Sequence, residues 1–321
     1  MKENKFDVNS IDSQCTIVEP MKVEEFGLDT YQEYESSLLE RNKKFVHSEH
    51  GIQIYRRFRP NDVFYDGCKD MELSLQLQLA ALHQSMNYKA DIANFLEPWY
   101  GIGWIAASFG NDYIWSPGQA PSVKPMFSSL AEINNASCLP ISKTPIGKHI
   151  LNMIEYFLDQ TKGKLPISYS DVQSPLNMVS YLLNSTDLFM EMYDDPDGFK
   201  QVLNTITTLA IDFLQEQKKL IGDCLAKPGH GFASSRAFEG VGLSADNVLM
   251  LSSDMYADLI QKEDERMGEK LGGLAFHSCG NWENKIDLIK EFKGLVTIDG
   301  AFSSQTDPDF NDPKVFGEGF K

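Results

Sequence analysis

The sequence predicts an α/β fold with a parallel sheet. Three observations carry this. Apolar strand-like runs alternate along the chain with helix-like stripes, a rhythm that implies parallel pairing through βαβ units. Several of the strand-like runs end in a polar or ionisable residue: Asp171, His277 with Cys279, and Asp299. That is the arrangement at the catalytic face of a (β/α)8 barrel. Third, 321 residues at 42% hydrophobic suffice for one large core or two modest ones, and since barrels of about 250 residues or more are common, length does not demand two domains.

In chain order, residues 1–30 are polar and aperiodic and read as an arm or frayed terminus. Tyr31, Tyr34, Leu38 and Phe45 give residues 29–46 a helical spacing. Residues 71–86 alternate Leu73, Leu75, Leu77 and Leu79 like a strand. Their length and their Glu, Gln, Leu and Ala content assign them to a helix. Residues 93–110, ANFLEPWYGIGWIAASFG, read as a short strand and then a loop lined by Trp99, Tyr100 and Trp104, with Glu97 and Pro98 between. Pro117, Pro121 and Pro125 punctuate an irregular stretch.

Ile146, Ile150, Met153, Ile154, Phe157 and Leu158 form one stripe of a helix over 146–159. A strand over 165–171 runs through Gln173 to Pro175, a residue suited to a first helical turn. Ser185 or Thr186 is expected to cap a short helix at 187–193. Asp194-Asp195-Pro196 opens a long one that Gly222 stops, its aspartates at the positive end of the helix dipole. Residues 228–242 are expected to hold a strand and its loop. A helix over 254–260, a strand over 274–279, a helix over 282–292 and a strand over 295–299 follow.

The net charge is −17, from 46 acidic and 29 basic residues. This argues against nucleic acid and against an anionic membrane surface as partners, and a small-molecule substrate is expected. Five scattered cysteines are no disulfide framework. The opening MKENKFDVNS has no apolar signal-peptide core, and no run of about 18 apolar residues would span a membrane, so cytoplasmic residence is expected.

The metal-friendly pair is His277 and Cys279 in LGGLAFHSCGN at 271–281. Two apart on a strand, they point to one face, and imidazole beside thiol is half of a zinc site. Glu97, His230, Glu239 and Asp299, or Cys68 or Cys138, are candidates to complete it. Asp171 either orients substrate and donates a proton or caps the helix after Pro175. His230, in the loop PGHG, either meets substrate or lies on the surface. Trp99 and Tyr100 either wall a flat or methylated ligand or pack the mouth. GVGLS at 240–244 lacks the pattern of a phosphate loop.

SDVQSPLNM at 170–178, LFMEMYDDPDGFKQVLNTIT at 188–207 and FHSCGN at 276–281 resemble the uroporphyrinogen decarboxylase superfamily. The resemblance covers roughly residues 90–300. It implies a single (β/α)8 TIM barrel at 91–321, with 1–90 as an N-terminal arm and helices packed on it. The chain reaches Lys321 before the last strands of a full barrel are counted, so an incomplete C-terminal closure is expected.

RRFR at 56–59 lacks the spacing and glycine of the arginine stretch by which true uroporphyrinogen decarboxylases grip carboxylates. The resemblance is therefore nearer to the zinc- and corrinoid-dependent methyltransferases. It implies Zn2+ on His277 and Cys279, a corrinoid or thiol methyl acceptor and a corrinoid protein as partner. Asp171 and His230 are the candidate catalytic residues, and Glu97, Trp99, Tyr100, Gln173 and Asp299 the candidate substrate contacts. That branch's third ligand, a distant cysteine, has no counterpart after Cys279. The rival readings are a decarboxylase of a porphyrinogen or other carboxylated substrate, and a barrel without activity that serves as a binding subunit.

Overall fold

The computed structural model describes residues 17–48 and 50–320. The first half of the expected N-terminal arm lies outside the described residues. From Val23 on the chain is helical rather than an arm: α1 (Val23–Phe26) and α2 (Leu28–Val46) bury Phe26 and Tyr31. Apolar side chains at this edge had been hidden among polar neighbours, and burying them outweighs the local lack of period. The helical reading of the leucine alternation is correct. α3 (Met71–Tyr88) starts at Asp70, whose carboxylate accepts from the N–H groups of Glu72 and Leu73.

Residues 93–110 form no extended strand. Leu96 makes one parallel bridge to Ile167, and Trp104–Phe109 wind into a 3₁₀ turn. After α4 (Leu130–Asn135), α5 (Pro145–Thr161) begins at Thr144, which accepts from Gly147 N–H with Pro145 in the first turn. Ile146, Ile150, Met153, Ile154 and Phe157 are all buried, as their spacing predicts. Ser174, not Asp171, caps α6 (Pro175–Val179). Asn184, not Ser185 or Thr186, caps α7 (Ser185–Asp194), because the extended backbone ends one residue earlier than the sequence suggests. Asp195 caps α8 (Pro196–Ile221), whose Phe199, Val202, Leu203, Ile206, Ala210, Phe213 and Leu214 enter the core.

In the glycine-studded stretch only β1 (Val241–Ser244) is strand. The backbone before it turns through Gly229 and His230, both at positive φ, and cannot extend. α9 (Ser253–Leu259) is followed by α10 (Gln261–Leu271), a helix whose charged sequence QKEDERMGEKL conceals it. Next come β2 (Leu274–Ser278), α11 (Ile286–Ile289), β3 (Leu295–Gly300) and α12 (Pro313–Gly319). The helix expected over 282–292 shrinks to a 3₁₀ turn and one turn of α11.

β1, β2 and β3 form a parallel sheet in that order. Isolated parallel bridges extend it: Leu96 to Ile167, Ile167 to Leu225, and Gln173 to Ser244. Gly242 N–H to Pro228 O, 3.0 Å, ties the segment after Leu225 to β1. Among the described residues, three strands and these bridges are what the expected eight-stranded wall amounts to. The helices cover the sheet's apolar face, and α8 packs against α4, α5, α6 and α10. Among the described residues no helix is long and apolar enough to cross a membrane.

Candidate functional site

Parallel register brings the strand ends together. Gln173 bridges Ser244, Ser244 faces His277, and His277 faces Asp299. These four residues, from four stretches of chain, lie side by side along one edge of the sheet. They line a cavity of about 570 Å3 with Asp171, His230, Asp246, Cys279 and the arginines at 56, 57 and 59.

On one wall stand Asp246, His277 and Cys279, whose ligand atoms all lie within 4.8 Å of one another. His277 Nδ1 meets Asp299 Oδ2 at 2.8 Å, which turns Nε2 toward Cys279 Sγ at 3.4 Å and Asp246 Oδ1 at 4.0 Å. Cys279 N–H donates to Asp246 Oδ1 at 2.8 Å, so backbone and carboxylate fix each other. Donors around a tetrahedral zinc stand roughly 3.5 Å apart, so a sulfur, an imidazole nitrogen and a carboxylate at these separations fit that ion. Burial would lower the basicity of His277, but hydrogen bonds to Asp299 and Cys279 outweigh it and push the ring up to about 10.

In the same cavity His230 lies between two carboxylates. Its Nδ1 pairs with Glu97 Oε1, and its Nε2 lies 3.1 Å from Asp171 Oδ2. The ring is presented by a left-handed backbone, φ 36°, in the turn after Pro228. Asp171 also accepts from Trp99 Nε1–H at 3.2 Å and Gln173 Nε2–H at 3.0 Å, while its backbone carbonyl accepts from Trp104 Nε1–H at 2.8 Å. Behind His230, Glu97 sits fully buried, with Arg57 at 3.4 Å and Arg59 at 3.8 Å. Burial alone would raise the Glu97 carboxyl, but the charges of His230, Arg59 and Arg57 hold it well below the usual carboxylate range.

Of the residues singled out from sequence, Asp171, Gln173, His230, His277, Cys279 and Asp299 line one cavity. Glu97 lies one layer behind it. Trp99 and Tyr100 lie outside its lining: Trp99 is buried with its indole nitrogen on Asp171, and Tyr100 stacks on His149 at 3.8 Å. Among the third-ligand candidates, Cys68 is buried against Tyr65 O and Glu239 pairs with Lys227. Asp299 stands behind His277 rather than beside Cys279.

Sequence reasoning missed Asp246, which follows β1 by two residues. The signal was present, because Asp246 is one more acidic residue just past a strand end. It also left Arg57 and Arg59 without a role. Only the fold shows that they reach Glu97.

Residues 51–305 match the family described as Uroporphyrinogen decarboxylase (URO-D), and the chain belongs to that family. The fold is similar to that of a solved methyltransferase from Methanosarcina mazei, with TM-score 0.54 and 14% sequence identity over 88% of this chain and 69% of the other. No curated protein matches the chain.

Proposed function

We propose that this member of the uroporphyrinogen decarboxylase family is a zinc-dependent methyltransferase with a (β/α)8-type wall. In this reading residues 91–321 supply the barrel, and 1–90 pack on it. The observation that carries the reading is the convergence of Asp246, His277 and Cys279, with Asp299 aligning the imidazole. These three residues would hold the metal. Bound there with one position open, zinc would lower the pKa of a sulfur or polarise a methylated heteroatom. The fold this chain shares with a methyltransferase from Methanosarcina mazei supports the methyl-transfer part of this reading.

The chain's own residues define the rest. Asp299 holds one His277 proton on Nδ1, so that Nε2, on giving up its own proton, would face the metal side. Gln173, fixed by Asn177 and Tyr181, orients Asp171. Asp171 and His230 line the same substrate space. A cavity of about 570 Å3 suits a small methylated molecule and the approach of a thiol or a corrinoid presented by a partner protein. Metal analysis of the purified, reduced protein tests the assignment. About one zinc per chain is expected, lost in Cys279→Ser, and a zinc-free wild type sinks the reading.

A second reading keeps the cavity and changes the reaction. Arg56, Arg57 and Arg59 line it and favour a carboxylated substrate, as a decarboxylase would need. Turnover of a carboxylated ring by the metal-free protein, abolished in Asp171→Asn, would establish that reading instead.

A further inference from the structure

His230 is held at both of its ring nitrogens. Both its ring nitrogens face carboxylate oxygens, Glu97 on one side and Asp171 on the other. A neutral imidazole has one N–H and one lone pair, so it would set a lone pair against one of two anions. Asp171 takes donors on both oxygens, from Gln173 on Oδ1 and Trp99 on Oδ2, and those bonds suit the ionised form. Glu97 is anchored as an anion by Arg57 and Arg59, and its backbone N–H is tied to Gln78 Oε1 at 2.7 Å. Tyr55, in the cavity wall, is the further ionisable group facing Glu97 and the arginines. The ring is satisfied on both sides only when it carries both protons.

We propose that Glu97, His230 and Asp171 form a proton relay that serves the cavity shared with the metal-ligand cluster. The inference rests on the methyl-transfer reading and deepens it by naming what the Glu97–His230–Asp171 side of the cavity does. When a methyl group leaves an oxygen, the carbon–oxygen bond breaks with its electron pair on oxygen. The carbon passes to the thiolate or corrinoid acceptor. The oxygen takes a proton from Asp171, to which His230 has handed its Nε2 proton, and the ring stays bonded to Glu97 through Nδ1–H. Glu97 is a positioning residue. It touches no substrate, and its fixed charge keeps His230 loaded.

The relay also sorts substrates. A methyl group leaving a quaternary ammonium leaves behind a neutral amine that needs no proton, whereas an O-methyl donor leaves an alkoxide that does. Glu97→Gln should therefore slow transfer from methanol or a methyl ether by about 100-fold or more, the range of a lost general acid. Transfer from tetramethylammonium should fall far less, because its neutral leaving amine takes no proton.

The experiment has two arms. In the first, ring-15N histidine labelling, with His230 assigned by its absence in His230→Gln, reads the protonation of each nitrogen. Both should be protonated at pH 7 in the wild type, and one should lose its proton in Glu97→Gln or in Asp171→Asn. Zinc content should be unchanged in all three variants. In the second arm, zinc-loaded wild type and Glu97→Gln transfer methyl groups from the two donor classes to cob(I)alamin. A neutral wild-type His230 overturns the relay whatever the activity, and so does equal slowing of both donors. A wild type inactive on both donors counts against methyl transfer alone, and the labelling arm then decides the relay.

Discussion

His277 donates its Nδ1–H to Asp299 across the β2–β3 pair at 2.8 Å, and the two residues are register partners in the sheet. Sheet pairing thus fixes which imidazole nitrogen faces Cys279 and Asp246. A ligand histidine held by a carboxylate is more basic and better oriented than a free one. Asp299→Ala should weaken zinc binding about 10- to 100-fold while leaving one site per chain. Competition against a chromophoric chelator reads this directly. Wild-type affinity in the variant would show that Asp299 does not support the metal site.

How much of this could be read beforehand depended on distance along the chain. The apolar run at 274–278 signalled β2, and strand alternation put His277 and Cys279 on one face without further information. The α5 and α8 stripes were equally local. Asp246 was not readable in the same way, because its place beside Cys279 depends on how β1 registers against β2, and no local pattern encodes that. The Glu97–His230 contact spans 133 residues of sequence. α10 was hidden for a different reason. Most of its residues are charged, and among its five buried residues only Met267 and Leu271 are large and apolar, too few to show a helical stripe.

Gly147 sits where α5 opens against the turn at Ile141–Lys143. A Cβ there would stand 2.0 Å from the Ile141 carbonyl oxygen, and backbone cannot swing away as a side-chain tip can. Gly147→Ala should destabilise the protein by about 1–3 kcal/mol, the range for overpacking a close contact. Urea unfolding measures it. A midpoint equal to the wild type's would mean that α5 and its preceding turn separate at little cost.

Arg236 pins the His230 loop to the N-terminal helices. Its Nε donates to Glu35 Oε1 at 2.7 Å and its Nη2 to the other oxygen, while Glu35 is almost wholly buried on α2. Removing one partner leaves a buried charge alone, so Arg236→Met should cost about 3–5 kcal/mol. Replacing both, Arg236→Met with Glu35→Leu, should cost clearly less than the single change. Equal losses in the single and double variants would show that the pair is not what holds the loop.

Asp264 sets a pH dependence unrelated to the site. It is buried between α9 and α10, accepts from Tyr256 OH at 2.6 Å, and its other oxygen has no partner. Burial, reinforced by Glu263 and Glu265 against the opposing Tyr256 hydrogen bond, raises its carboxyl from 3.8 to about 7. The folded state therefore binds this proton more tightly than the unfolded chain. Stability is greatest below the unfolded value, falls as pH rises from about 4 to about 7, and is level above, with a total loss of at most about 4 kcal/mol from this group. Asp264→Asn keeps an acceptor for Tyr256 and removes the titration. The variant should gain stability over the wild type at pH 8, and the difference should shrink on acidification toward pH 4. Chemical unfolding at a series of pH values gives both curves, and parallel curves between pH 4 and 7 would rule Asp264 out as the titrating group.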